Sequence, residues 1–349
     1  MYTSGVLRSK QKTEKMIEKL SEKTKSEVRK FELYADFSVL IARIKPHQTL
    51  ALNRGENLGI LQVKIEKEDE MREVIRSFFP RGTLISELDQ AIRDGFDALF
   101  VSLENEIRRA ITDMAEDVSI ETFRENLRSL LMTRPEYGKT ILGIDPGYRT
   151  GSKIVILDTL GNPIAFSKIF LDTLKEAEKI LQELHRKYTP EVIVVGNGTA
   201  SDETVELVQS ILSQPIFIVN ESGASVYSAS EIANEEFPDL DVTDRGTISI
   251  ARRFLDPLSE LVKIPVGSIG VGMYQHDITP KKLEEKLGYT VEDVVNEVGV
   301  NVNLASISVL QYISGLDKRS AKKVYNHRPY CSRDALAKVL SPKGYQQAA

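Results

Sequence analysis

At 349 residues with 41% hydrophobic content, the chain can bury substantial cores and is expected to divide into two or three domains. Its 46 Lys and Arg against 51 Asp and Glu give a net charge of −5, which excludes a polycation that coats nucleic acid over its whole surface. One cysteine, Cys331, excludes an intramolecular disulfide, and no Cys and His grouping has the spacing of a zinc site. The chain shows no leader and no apolar run of about 18 residues, so we predict a cytoplasmic protein without a membrane partner.

The first third of the chain, residues 1–137, predicts a mainly helical domain that contains a β-hairpin. Residues 50–65 are strand-like and are broken by the polar residues 54–57, while residues 78–131 read as several helices with apolar positions three and four apart. Breaker residues at 134–138 then favour a domain boundary.

The middle of the chain, residues 138–262, predicts a mixed-sheet domain. Its short β-rich runs and amphipathic segments follow one another as three strands (141–145, 153–157, 164–170), a helix (174–184), a strand (192–195), a helix (205–212), a strand (216–219) and a helix (224–236). This order is typical of the ribonuclease H-like fold and differs from the strict alternation of a Rossmann sheet.

The first strand of this domain ends at Asp145, where ribonuclease H-like nucleases hold their first metal ligand, and Glu221 is a candidate second ligand. Two-metal cleavage needs several carboxylates around two ions about 4 Å apart. The helix expected to supply a third acid offers basic residues instead, namely Arg245, Arg252 and Arg253. We therefore interpret Asp145 and Glu221 as vestigial and predict no catalytic residue, no bound metal, no cofactor and no enzyme activity.

Alternatives remain open for these residues. A metal-dependent nuclease or resolvase would use Asp145, Glu221 and a third acid, Asp241 or Asp244, with Mg²⁺ as its cofactor. Without catalysis, the Asp145 carboxylate is expected to accept hydrogen bonds from turn amides. The turn at 196–201 either brings backbone amides to a phosphate or is a tight turn whose Ser201 caps the next helix.

The last region, residues 263–349, predicts a helical domain with a hairpin suited to phosphate. Asn303 should cap a helix that reaches Tyr312, followed by a turn at 313–316 and a helix over 318–326. Gly315 would let a backbone amide approach a phosphate oxygen, a contact that carries no base readout. The basic residues predicted to bind the same nucleic acid are Lys318, Arg319, Lys322 and Lys323, with Lys343 from a second copy of the hairpin at 340–345. The competing interpretation is two plain helical hairpins that stabilise the domain.

Eight stretches spread in order over the chain carry a family resemblance: 5–10, 143–151, 196–201, 221–231, 237–242, 245–253, 256–263 and 268–277. Together they resemble the Tex family of bacterial transcription accessory proteins. The resemblance implies a central helical region, a YqgF-type domain of ribonuclease H-like fold and helix-hairpin-helix modules. It also implies a scaffold that binds DNA or RNA without sequence preference, with the transcription machinery as a further partner.

The chain departs from this family pattern in two respects. Tex-like proteins tend to have Gly where this chain has Ser341, which puts the second hairpin in doubt. They usually begin with another helical domain and end with an OB-fold RNA-binding domain. We therefore expect the chain to correspond to the core of such a protein, either trimmed or naturally short.

Overall fold

The computed structural model describes residues 5–66, 77–78, 85–300, 302–303 and 305–348. The chain forms two compact units, residues 1–122 with 273–280, and residues 123–272 with 281–349. The predicted fold class is confirmed: a largely helical first region, a ribonuclease H-like mixed sheet and a helical last region. The proposed domain boundaries near 137 and 262 stay predictions. Among the helices of these residues, none combines the length and apolar character that a membrane crossing requires.

The first unit contains a three-stranded antiparallel sheet rather than the predicted hairpin. Strand β1 (Val6–Gln11) lies between β2 (Asp36–Leu40) and β3 (Leu61–Ile65). The short helices α1 (Glu14–Ile17) and α2 (Glu22–Glu27) connect the first two strands.

The strand prediction for residues 50–65 was wrong in its first half, because helix α3 (Pro46–Asn57) occupies it. Pro46 stands in the first turn, where the missing N–H has no helical partner to lose. The Lys45 amide donates to the Gln48 side chain at 3.0 Å, which fixes the helix start.

A single helix, α4 (Ile85–Leu131), replaces the several helices predicted over residues 78–131. The helix contains no proline, and its one glycine, Gly95, does not interrupt it. In the first unit the helix buries Phe96, Phe100 and Ile107 in the core that includes the three-stranded sheet. Residues 79–84 of the predicted range lie outside the described residues.

The second unit is built on a five-stranded sheet of order β6-β5-β4-β7-β8. Its strands are β4 (Ile141–Asp145), β5 (Ser152–Leu157), β6 (Pro163–Ile169), β7 (Val192–Gly196) and β8 (Ile216–Val219). The first three strands pair antiparallel, whereas β4, β7 and β8 are parallel neighbours. All five were predicted, because short apolar runs bounded by turns are distinctive in sequence.

Helices cover both faces of this sheet. They are α5 (Leu174–Tyr188), α6 (Ser201–Ile211), α7 (Ala224–Ser228), α8 (Glu231–Glu236), α9 (Val242–Leu255) and α10 (Pro257–Leu261). Helices α5 and α6 contribute to the core on one face, and α9 packs on the other. The helix predicted over 224–236 is divided into α7 and α8, because the Ser230 hydroxyl accepts from the Ala233 amide at 3.2 Å and starts a new helix.

The last region contains α11 (Pro280–Val298), α12 (Ile307–Leu310), α13 (Lys318–Asn326), α14 (Arg333–Ala337) and α15 (Pro342–Ala348). The predicted cap at Asn303 was wrong. Ser306 caps α12 by accepting from the Val309 amide at 3.3 Å, whereas Asn303 pairs with the backbone of Tyr330. The second hairpin was also misplaced, since residues 342–348 are helical and the turn between α14 and α15 is 338–341.

We predict that Gly143→Ala destabilises the second unit by about 1–3 kcal/mol, because the added methyl group would collide with Ala251 of α9 in a close-packed core. The matched control is Gly288→Ala in α11, where nothing lies within 4 Å of the added carbon. That variant should gain up to about 1 kcal/mol in helix propensity. Urea unfolding of both variants checks the opposite signs, and an unchanged midpoint for Gly143→Ala would contradict the packing described.

Candidate functional site

The carboxyl ends of the parallel strands β4, β7 and β8 meet at one edge of the second sheet. There the chain places Asp145, Asn197 and Glu221, each at or just beyond the end of its strand. This edge is the usual ligand position in open α/β sheets, so its side chains decide what chemistry the domain can perform.

Glu221 lies across the turn that follows β7. A Cβ atom at Gly196 would be 2.6 Å from Glu221 Oε2, and one at Gly198 would collide with the same carboxylate. The Gly198 amide donates to Glu221, and the Glu221 amide donates to Asn197 Oδ1 at 3.0 Å. The two glycines therefore make room for the Glu221 carboxylate. This carboxylate occupies the Gly198 amide, which a phosphate bound at this turn would need.

The interpretation of Ser201 as the cap of α6 was wrong. The cap position is Ala200, which has the left-handed backbone angle φ 72° and no side chain that could accept a hydrogen bond. Ser201 is the first helical residue, and it is buried.

Asp145 faces an ammonium group supplied by the neighbouring strand. Lys153 is its partner in the antiparallel register, and Lys153 Nζ lies 3.9 Å from Asp145 Oδ2. Burial raises the pKa of Asp145, and Lys153 opposes the rise. The turn amides do not hold this carboxylate within the described residues; the Gly147 amide donates to Ser152 Oγ at 3.3 Å instead.

Two further carboxylates lie within electrostatic range of the same lysine. Burial and the charge of Asp241 raise the pKa of Asp244, with Lys153 again opposing. Hydrogen bonds from Thr243 and Asp244 lower the pKa of Asp241, and Lys153 adds to this effect. Glu221 is coupled to Asp145 as well, because burial and then the Asp145 charge raise its pKa.

The arginines of α9 are held by backbone carbonyl groups. Arg245 Nε donates to Phe237 O at 3.0 Å, and Arg252 Nε donates to Gly161 O at 2.8 Å. Arg253 Nη1 donates to two carbonyl oxygens of the segment after β8, and its charge opposes the rise in the pKa of Glu221 that burial and Asp145 cause. Arg245 and Arg252 therefore have a structural role, whereas the charge of Arg253 also acts on the acidic sheet edge.

The donor set at this edge does not fit the two-metal site of the fold family. In the part of the chain that the structure describes, no group of three or more His, Cys, Asp or Glu side chains could hold a metal ion. Of the four acids at this edge, Asp145, Asp241 and Asp244 interact with the positive charge of Lys153. In a metal-dependent nuclease, bound metal ions supply that positive charge.

The hairpin at 313–316, called hairpin 1 below, has the conformation that the sequence predicts. Gly315 has φ 84°, a left-handed backbone angle that favours glycine, and it is exposed. Asn296 of α11 fixes the loop, since its Oδ1 accepts from the Ser314 amide at 2.9 Å and its Nδ2 donates to Tyr312 O at 3.0 Å. Asn296 was missed in the sequence, because a single Asn in an amphipathic helix carries no local signal.

The predicted basic residues have different surroundings. Lys318, Arg319 and Lys322 are exposed along α13, directly after the hairpin. Lys323 is also on the surface, but its Nζ donates to Val339 O at 2.7 Å. Lys343 is exposed in the first turn of α15. The structure thus brings three cationic side chains onto the helix that follows Gly315, while Lys323 is engaged within the region.

Comparisons with known proteins agree with this architecture. Family models match residues 4–123 as "Tex central region-like", 139–255 as "Tex protein YqgF-like domain" and 295–349 as "Helix-hairpin-helix motif". The three matches cover most of the chain in the order of the family, and the chain belongs to the Tex family.

Similar proteins come from bacteria and animals. YdcI of Bacillus subtilis is 42% identical over 91% of this chain and 47% of its own length. Protein tex of Bordetella pertussis is 38% identical over 91% of this chain and 45% of its own. The human S1 RNA-binding domain-containing protein 1 is 39% identical over 93% of this chain and 35% of its own. The chain therefore spans about a third to a half of the length of these relatives.

A solved structure, the yeast mitochondrial Holliday junction resolvase Ydc2, matches 50% of this chain and 97% of its own. It is 12% identical with a TM-score of 0.25, a likeness too low to carry an argument.

We predict that Asp145→Asn stabilises the protein at neutral pH. A carboxyl whose pKa is raised on folding favours the folded state while protonated, and it loses that contribution as the pH rises through the folded pKa. Asparagine resembles the protonated form at every pH, so the variant should gain stability over the wild type as the pH rises from about 3 to 7. The pKa of Glu221 should fall as well, because the repulsion from Asp145 is gone.

Unfolding free energies across this pH range and the carboxyl NMR titration of Glu221 test the prediction. Asp239→Asn, an exposed acid of the same domain, is the control and should show no such trend. A uniform loss of about 1 kcal/mol in Asp145→Asn at all pH values would instead indicate that hydrogen bonds to the carboxylate had been removed.

Proposed function

We propose that this chain binds nucleic acid through the phosphate backbone at hairpin 1, and that its ribonuclease H-like domain serves as a scaffold without catalytic chemistry. One observation carries the proposal. An exposed left-handed glycine stands in a loop fixed by Asn296, directly before a helix with three exposed cationic side chains. Loop amides and cations of this kind bind phosphate oxygens, and they carry no information about the base.

The surroundings of the loop support binding to DNA or RNA without preference for one sequence. Asn296 holds the loop before any ligand arrives, so little conformational entropy is lost on binding. Because the net charge of the chain is −5, attraction to phosphate must come from such local groups. We expect weak binding with a marked dependence on salt.

The names of relatives suggest where this binding acts. One relative in Neisseria gonorrhoeae is named transcriptional accessory protein Tex, and the human relative is named for an S1 RNA-binding domain. We extend a role in transcription to this chain on that basis, with the transcription machinery as a partner and the cytoplasm as its location.

The alternative function is a Mg²⁺-dependent nuclease that uses Asp145 and Glu221. The electrostatic coupling between these two carboxylates favours it, since paired acids are what a metal requires. Lys153 weighs against it, because an ammonium beside Asp145 repels a divalent cation.

For the binding site, we predict that the combined change of Lys318, Arg319 and Lys322 to Ala weakens binding to every sequence alike. Each phosphate that is no longer neutralised should flatten the log-log salt dependence by about 0.9 on duplex DNA. The matched control replaces Lys175, Lys179 and Arg186, exposed residues of α5 with the same charges, and should retain the wild-type slope. Equal slopes for the two triple variants in salt-titrated anisotropy would remove hairpin 1 from the binding site.

For the chemistry, we predict no Mg²⁺- or Mn²⁺-dependent cleavage of linear, nicked or four-way-junction DNA, or of RNA. The reason is the donor set, in which the Lys153 ammonium compensates the charge of Asp145, an acid that the metal ions would need. Gel assays with wild type and Asp145→Asn check this. Metal-dependent cleavage that disappears in Asp145→Asn would establish the nuclease alternative.

A further inference from the structure

Hairpin 1 and the turn at 338–341, called hairpin 2 below, are two copies of one structural unit. Asp317 caps α13 by accepting from the Ser320 amide at 2.8 Å. Ser341 caps the start of α15 by accepting from the Gly344 amide at 3.2 Å. Both caps accept from the residue three positions later, which sets the correspondence of the two copies along the chain.

The two copies also contact each other reciprocally. Lys323, six residues after the first cap, donates to the carbonyl of Val339, two residues before the second cap. Gln347, six residues after the second cap, lies against Gly315, two residues before the first; a Cβ at Gly315 would be 2.7 Å from Gln347 Cβ. This reciprocity indicates an approximate two-fold axis between the copies. A two-fold pair of phosphate sites suits the two strands of a duplex, because those strands are themselves related by two-fold axes.

The copies differ, however, in the groups that bind phosphate. The position of Gly315 is occupied in hairpin 2 by Val339, and the non-glycine residues with positive φ in the described ranges are Thr189 and Ala200. A β-branched residue avoids the left-handed region, so hairpin 2 has a different backbone conformation. The Val339 carbonyl is also fixed by Lys323 at 2.7 Å.

The charges differ in the same direction. The three exposed cationic positions of the first copy, Lys318, Arg319 and Lys322, correspond to Pro342, Lys343 and Gln346 in the second. One cation therefore remains of three. Backbone conformation and charge independently indicate that phosphate binding is concentrated in hairpin 1.

We propose that this pair of hairpins engages a single strand of nucleic acid. Hairpin 1 binds the phosphates of that strand. Hairpin 2 lies where a symmetric pair would have its second phosphate site, and it supports hairpin 1 instead. Lys323 is a positioning residue rather than a phosphate ligand. This inference rests on the proposed function and adds to it the kind of substrate that the site can hold.

The test is salt-titrated fluorescence anisotropy of the full chain with a single-stranded DNA oligonucleotide and with the duplex of the same length. The slope divided by about 0.7 for the single strand, or by about 0.9 for the duplex, gives the number of phosphates neutralised. We expect the same number for both probes. A number on the duplex about twice that on the single strand would show two working hairpins and overturn the inference.

A matched pair of variants on α13 tests the role of Lys323. Lys318→Ala should lower the number of neutralised phosphates by about one on both probes. Lys323→Ala should leave that number unchanged and lower the thermal midpoint, because the bond to Val339 is removed. A smaller number of neutralised phosphates in Lys323→Ala would overturn its role as a positioning residue.

A rebuilt second copy provides the converse test. Val339→Gly combined with Gln346→Lys should raise the number of phosphates neutralised on the duplex. The number neutralised on the single strand should stay unchanged. No gain on the duplex, with the variant folded by circular dichroism, would contradict the inference. Failure of the proposed function is recognised separately, by a wild-type slope in the triple variant of Lys318, Arg319 and Lys322.

Discussion

The two candidate sites of this protein differ in whether their charged side chains already have partners within the chain. At the acidic sheet edge, Asp145 faces the Lys153 ammonium and Glu221 accepts from the Gly198 amide, while the buried Oε2 of Glu221 has no hydrogen-bond partner among the described residues. Buried or half-buried charges need such partners, and a metal ion can replace them only where the partners are absent. Lys318, Arg319 and Lys322 are exposed after Gly315, and phosphate can approach them without displacing a bond of the fold.

The sheet edge and the hairpin of the second unit therefore have different roles. The sheet edge has the geometry of an α/β ligand site, but the Gly198 amide donates to Glu221 and the Lys153 ammonium faces Asp145. Asn296 fixes the conformation of hairpin 1, and Gly315 allows its backbone to approach a phosphate. The helix after hairpin 2 packs against Gly315 through Gln347. Under the proposed function, the ribonuclease H-like domain acts as a scaffold and hairpin 1 binds the phosphates.

The features that could be predicted from the sequence are those whose signal is local. The five strands of the second sheet, the left-handed Gly315 and the basic helix after it all depend on residues close together in the chain. The failures depend on longer-range packing. Residues 50–52 are apolar enough for a strand, and their helix is decided by Pro46 and by tertiary packing.

The groups that decide function at each site were harder to find than the folds that hold them. Lys153 opposes Asp145 only because of the antiparallel register of two strands, and Asn296 reaches hairpin 1 from a separate helix. The hairpin 2 turn was misplaced because Pro342 begins a helix at its first position rather than ending a loop.

The most direct test of phosphate binding at hairpin 1 is an amide NMR titration of the protein with a short single-stranded oligonucleotide. If the hairpin holds a phosphate through its backbone, the amide resonance of Gly315 should move first and saturate with the binding curve, while those of Asn197 and Gly198 stay in place. Shifts confined to the acidic sheet edge, with Gly315 unmoved at saturation, would contradict binding at hairpin 1.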